Sequence, residues 1–180
     1  MRQRMRVSVV IAFAFAALAF VSCEPPKKTS ANPLFGKPVP AFVTVDPDGN
    51  TIDLKDHLGK SVILLDFWAT WCGPCILAMP EVEAIAEKYK DRGLVFYAVN
   101  VGEDPDTVKE FLQQNNLDIP VAMDFDGKIQ SSFNSDGLPF TVVIGKDGRM
   151  QADHTGYWRG FSEELSAQVD AVLKGEDLTE

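Results

Sequence analysis

Cysteine and histidine are scarce in this chain of 180 residues, which holds three of the first and two of the second. Three cysteines cannot build a disulfide scaffold, and a chain of this length buries enough apolar surface to fold without one. A closed structural zinc site takes four Cys or His ligands. His57 and His154 stand apart, one beside a turn and one on a predicted hairpin strand, where surface or packing roles suit them and no metal site is expected. Basic residues are outnumbered, 17 Lys and Arg against 26 Asp and Glu, for a net charge of −9. No basic stripe interrupts that acidity, so nucleic acid and anionic lipid headgroups are poor partners. Internal repeats and any sign of a second domain are also missing, and nothing suggests an obligate oligomer, so a monomer is expected.

The one long apolar run lies at the N-terminus. After the basic "MRQRMR" come sixteen uncharged, mostly apolar residues, "VSVVIAFAFAALAFVS", ending at Cys23. Sixteen is short of the roughly 20 residues of a comfortable membrane span and fits a signal-peptide core, so residues 1–22 are expected to be removed. Ser22 directly before Cys23 fits a bacterial lipoprotein signal, in which Cys23 becomes the lipidated N-terminus, although Phe20 stands where such signals usually carry leucine. A plain secretory signal with an incidental Cys23, or an uncleaved anchor, are the alternatives. Cleavage would remove Arg2, Arg4 and Arg6 and no acid, taking the net charge from −9 to −12. The body is thus expected on the outer face of a bacterial membrane or in the periplasm, where thiols tend to oxidise. Residues 23–36, polar and proline-rich, form the predicted tether, with a root-mean-square reach of roughly 20 Å, and residues 37–180 the domain.

Along the domain, "AFVTVD" (41–46) alternates like a half-buried strand and "PDGN" supplies a turn. "SVILLDFW" (61–68) is a continuous β-branched and aromatic run, the pattern of a central strand buried on both faces. Apolar residues at three- and four-residue steps predict an amphipathic helix from Cys75 to Tyr89, interrupted at Pro80. "LVFYAVNV" (94–101) reads as a second buried strand, followed by a helix over Thr107–Gln114 with Asp104 as cap and Pro105 in the first turn. A short strand at 120–124, a short helix at 128–133, a hairpin over 140–158 turned at "KDG" and a final helix from Ser162 to Lys174 complete an α/β domain with a mixed sheet. Trp158 and Phe161 are assigned to the core.

The two remaining cysteines stand three apart in "DFWATWCGPC" (66–75). As a purely structural disulfide the pair would contribute little, because closing so short a ring removes little entropy from the unfolded chain. A redox role uses the placement better. Cys72 precedes a helix, whose unpaired N–H groups and positive dipole end favour the thiolate that attacks disulfides. It is therefore the predicted exposed nucleophile, with Cys75 one turn further in as the resolving thiol. Pro74 suits the first turn, where no N–H bond is needed. Asp66, on the apolar strand leading to the pair, would have its pKa raised by burial and could accept the Cys75 proton. The alternative is a carboxylate on a solvated strand end.

"DFWATWCGPC" resembles the active-site segment of thioredoxin, including both tryptophans and the aspartate six residues before the first cysteine. Pro80 matches the proline of the thioredoxin active-site helix, and "GLPFTVVI" (137–144) resembles the segment with the cis-proline that faces the disulfide. The resemblance implies a cis bond between Leu138 and Pro139 and a substrate-binding face made by Trp71, Gly73, Pro74, Leu138 and Pro139. The 64 residues from Cys75 to Pro139 exceed the compact thioredoxin core. With the surplus over 103–133 and the "PAFVTVDPDGNTIDL" hairpin, the chain resembles the exported, membrane-tethered TlpA/ResA-type proteins across roughly residues 36 to 175. That implies a thioredoxin-like fold with a mixed central sheet flanked by helices, an N-terminal β-hairpin and a central helix-strand insert. It also implies a thiol-disulfide oxidoreductase with no cofactor beyond its own Cys72–Cys75 couple. Electrons would come from a membrane thiol-transfer protein of the CcdA or DsbD kind and pass to oxidised exported proteins, apocytochrome c among them.

Two positions depart from that pattern. Cytochrome-maturation members carry Glu three residues after the second cysteine, where this chain has Ala78, while Asp66 and the "GP" dipeptide are thioredoxin-like. A general thiol reductase is therefore favoured over a cytochrome-dedicated one. An oxidase or isomerase stays open, since direction follows how far the reduced form is stabilised. A peroxiredoxin-like peroxide reductase fits poorly, because Ala69 and Leu65 occupy the places of its Thr and Pro. A non-catalytic tethered module fits poorly too, given the intact pair.

Overall fold

In the computed structural model, which describes residues 30–180, the apolar run after Ser61 is the middle strand of a five-stranded sheet. This strand, β3 (Val62–Trp68), is buried at all seven positions. The hairpin β1 (Val43–Val45) and β2 (Thr51–Asp53) forms a separate two-stranded sheet. β4 (Leu94–Val101) pairs parallel with β3, and β5 (Val121–Asp124) parallel with β4. On the other side, β6 (Phe140–Ile144) pairs antiparallel with β3, and β7 (Met150–Thr155) closes a hairpin with β6. The sheet order is β5-β4-β3-β6-β7. A strand with a partner on each edge and both faces covered reads as a continuous apolar run, as this one does.

Alternation along β3 builds two cores. Ile63, Leu65 and Phe67 pack with the hairpin side, against Ile52, Leu54, Phe133, Phe140 and Val142. Val62 and Leu64 face α1 (Gly73–Tyr89) and α4 (Phe161–Leu173), meeting Ala78, Val82, Ile85, Leu165 and Val169. α2 (Pro105–Asn115) is capped by Asp104, whose Oδ1 accepts from the Thr107 N–H at 3.0 Å. The short α3 (Lys128–Ser132) follows β5. The Thr44 hydroxyl donates to the Met123 carbonyl, tying the hairpin to β5.

Three expectations change. The signal peptide 1–22, Cys23 and tether residues 24–29 lie outside the described residues, but residues 30–36 are docked rather than free. The Asn32 side chain donates to the Phe133 carbonyl at 3.0 Å, Leu34 packs on the core, and the Gly36 N–H reaches the Met150 carbonyl at 2.9 Å. Trp158 is 38 % exposed although Phe161 is buried. It stacks edge-on against Phe161 at 5.2 Å and beside His154, covering that pair from outside. The active-site helix starts at Gly73, two residues before the predicted start at Cys75, because Cys72 caps it. Both histidines have partners within the fold, His57 with the Tyr97 hydroxyl at 3.0 Å and His154 with Gln168 Oε1 at 2.6 Å.

Candidate active site

β3 delivers the chain to the mouth of α1 through Ala69, Thr70 and Trp71. Cys72 is the cap of that helix, with extended backbone (φ −87°, ψ 94°), and its Sγ accepts the Cys75 N–H at 3.3 Å. Pro74 occupies the first turn, where the missing N–H costs nothing. The Cα atoms of Cys72 and Cys75 are 5.3 Å apart and the sulfurs are bonded. The helix dipole presents its positive end to the capping sulfur. The expectation of an exposed Cys72 needs correction, because the residue is only 5 % accessible. A capping side chain folds back over the first turn, and here it joins Trp68, Ala69 and Met79 in one buried cluster. Cys75 is at 0 %, so whatever surface the pair offers belongs to Cys72. Trp71, Gly73 and Pro74 are exposed around it.

Asp66 is buried inside β3, which removes the solvated strand end as an alternative. It shares its face of the strand with Leu64 and Trp68, the side covered by α1. Desolvation pushes the carboxyl up to about 7, and the hydrogen bond from Thr141 offsets part of that rise. The Thr141 hydroxyl donates to Asp66 Oδ1 at 2.7 Å. Ala78, also fully buried, lies on α1 over this same layer and leaves it without a second carboxylate from the helix. Trp68 and Ala98, which flank Asp66 on this face, pack in the cluster that holds Cys75, and a carboxyl raised toward neutrality in that layer can take up and return a proton.

The Leu138–Pro139 bond is cis, as the resemblance implies, and Pro139 is buried at the head of β6. Leu138 packs against the cluster that contains both cysteines. The central insert secures this loop. Asp124 accepts the N–H groups of Ile129 (3.0 Å) and Gln130 (2.8 Å), and the Gln130 side chain donates to the Gly137 carbonyl at 3.0 Å. The Pro139 carbonyl accepts from the Gly156 N–H at 2.8 Å.

Sequence reasoning missed Thr141 and a second residue, Glu103. Glu103 accepts from the Thr70 N–H (2.8 Å), the Thr70 hydroxyl and the Asn100 amide (2.8 Å), fastening the loop before Cys72 to the loop after β4. An acid just past the carboxyl end of a parallel strand was the available signal, since site loops gather there.

The family model described as Redoxin matches residues 35–170. The thiol-disulfide oxidoreductase ResA of Bacillus anthracis is 37 % identical over 139 residues, covering 77 % of this chain and 76 % of its own. The ResA of Bacillus subtilis strain 168 is 35 % identical over 121 residues, 67 % of each chain. A solved structure of a candidate thiol:disulfide interchange protein DsbE from Chlorobium tepidum superposes with a TM-score of 0.72 at 32 % identity, covering 77 % of this chain and 97 % of that one. Helix-mouth disulfide, cis-proline and buried aspartate sit together in a fold and a sequence of that kind, and the chain belongs to the Redoxin family as a thioredoxin-like thiol-disulfide oxidoreductase of the TlpA/ResA type.

Proposed function

We propose that this protein reduces disulfides in exported proteins, with Cys72 as nucleophile, Cys75 as resolving thiol and Asp66 as the acceptor of the Cys75 proton. The observation that carries this reading is the disulfide at the mouth of α1 with a buried carboxyl, pushed up to about 7 by desolvation, in the layer whose Trp68 and Ala98 pack with both cysteines. The Cys72 thiolate, favoured by the helix terminus, attacks a substrate disulfide; one substrate sulfur leaves and a mixed disulfide forms. Cys75 then gives its proton to Asp66 and attacks Cys72 Sγ. The Cys72–Cys75 bond forms, the mixed disulfide breaks, and the proton passes from Asp66 to the departing sulfur. Two electrons have moved to the substrate, and the couple itself serves without any added cofactor.

Trp71, Gly73 and Pro74 on one side and Leu138 with Pro139 on the other form the face that receives an extended substrate chain. A membrane thiol-transfer protein of the CcdA or DsbD kind re-reduces the pair. Oxidised exported proteins are the acceptors, and apocytochrome c is one candidate among them. Ala78 in the place of the helix glutamate, with Asp66 below it, supports a general reductase over a cytochrome-dedicated one. The protein acts as a monomer held at the outer face of the membrane through lipid on Cys23. Among the described residues no helix is long and apolar enough to cross a membrane.

A trapping experiment tests the assignment. Cys75→Ser protein mixed with a disulfide-bearing protein should accumulate a covalent adduct through Cys72, and alkylation against pH should give Cys72 a pKa below the free-thiol value of about 8.5. Preferential labelling of Cys75, or no adduct, would overturn the roles. A reduction potential in the range of strong oxidants would reverse the direction. Mass spectrometry of the mature N-terminus reads the lipid directly.

A further inference from the structure

We propose that Thr141 is a positioning residue for the Asp66 proton acceptor, its hydroxyl engaging one carboxylate oxygen across the β3–β6 pair so that the other stays available to the thiol. The inference rests on the reading of Asp66 given above and adds a second residue to it. Asp66 and Thr141 are Cα partners in the antiparallel ladder, so their side chains leave the sheet on the same face, the one beneath α1. Both are buried, at 1 % exposure. Oδ1 takes the Thr141 hydroxyl at 2.7 Å, and Oδ2 accepts no hydrogen bond from the described residues.

Packing alone does not explain a threonine here. The next three residues of β6 are Val142, Val143 and Ile144, all fully buried, and valine has nearly the same shape as threonine. A buried hydroxyl without a partner is costly, and this one commits its single proton to Asp66. Neighbouring groups leave the pair undisturbed. α1 presents Cys75, Ala78, Met79 and Val82, and β4 presents Ala98 opposite Asp66. On β7, His154 lies opposite Thr141, with its ring engaged by Gln168 on α4. Toward the helix mouth, Glu103 is occupied by Thr70 and Asn100. A donor fixed on Oδ1 favours the ionised carboxyl and turns Oδ2 toward the proton it receives.

Two variants separate the donor from its shape. In Thr141→Val the titration midpoint of Asp66, followed by the carbon-13 shift of its carboxyl, should rise by about one pH unit. Release of a mixed disulfide on Cys72 should slow about fivefold at pH 7 and recover at higher pH, as the ionised fraction falls and returns. Thr141→Ser keeps the donor and should keep the wild-type midpoint. An unmoved midpoint in Thr141→Val, or equal displacement in both variants, would overturn the proposal. Unchanged release in Asp66→Asn would instead remove Asp66 from the reaction, and the midpoint measurement still decides whether Thr141 sets the carboxyl.

Discussion

Asp66 on β3 and Thr141 on β6 stand opposite one another in the sheet, hydroxyl to carboxyl at 2.7 Å, in the layer that α1 seals from solvent. Desolvation prevails over that single hydrogen bond, and the carboxyl keeps its proton to about pH 7. The unfolded chain would release the same proton near the ordinary value of 3.8. The fold therefore binds more protons than the unfolded chain between these limits, and it loses stability as pH rises through them.

Asp66→Asn removes that loss. The variant should be more stable than the wild type above pH 7, by about 4 kcal/mol at most, with the advantage shrinking to nothing near pH 4. Denaturant unfolding at pH 4, 6 and 8 measures it; a gap that does not change with pH would contradict a buried titrating carboxyl.

Ala78 and Asp66 occupy opposite sides of the α1–β3 layer. Ala78→Glu places a second acid in that dry layer, and it should destabilise by about 3 kcal/mol or more. Adding Asp66→Asn should recover part of the loss, since one acid then remains. A double-mutant cycle reads this as a coupling energy of about 1 kcal/mol or more; strict additivity would mean the two positions do not share the layer electrostatically.

Glu103 holds Thr70 and, through it, the approach to Cys72. Glu103→Ala leaves the fully buried Asn100 amide without its acceptor. A loss of about 1–2 kcal/mol is expected, with amide exchange at Thr70 faster by about tenfold or more. Glu103→Gln retains an acceptor oxygen and should fall between the two. Hydrogen exchange followed by NMR checks both.

Trp71 is 72 % exposed and contributes little to the fold. Trp71→Ala should alter stability by no more than about 0.5 kcal/mol, yet slow adduct formation with a protein disulfide about fivefold, since exposed tryptophans beside a reactive site carry binding energy. An unchanged rate with the protein disulfide in Trp71→Ala would show that the indole makes no substrate contact.

Much of this was legible in the sequence, and the reasons are local. Period and run length place β3, α1, β4 and the β6–β7 hairpin, and the Asp104-Pro105 pair places the start of α2. The helix-start position of Cys72 follows from its neighbours, but its burial does not. That arises from Trp68 and Met79 closing around the capped turn. Glu103 and Thr141 were hidden for the same reason. Each acts on a residue 33 or 75 positions away, and only the strand order brings them together. The docking of residues 30–36 likewise depends on Phe133 and Met150, far along the chain.

Strand order has one more consequence. Asp66 and the approach to the sulfurs hang from β3, and Pro139 and Thr141 head β6, both inside the sheet, while β5 and β7 form its margins. Fraying at either margin leaves the electron-carrying parts in register. The Asp66–Thr141 pairing should accordingly persist through partial melting, while the Pro139 loop, held by Gln130 and Gly156, loosens first.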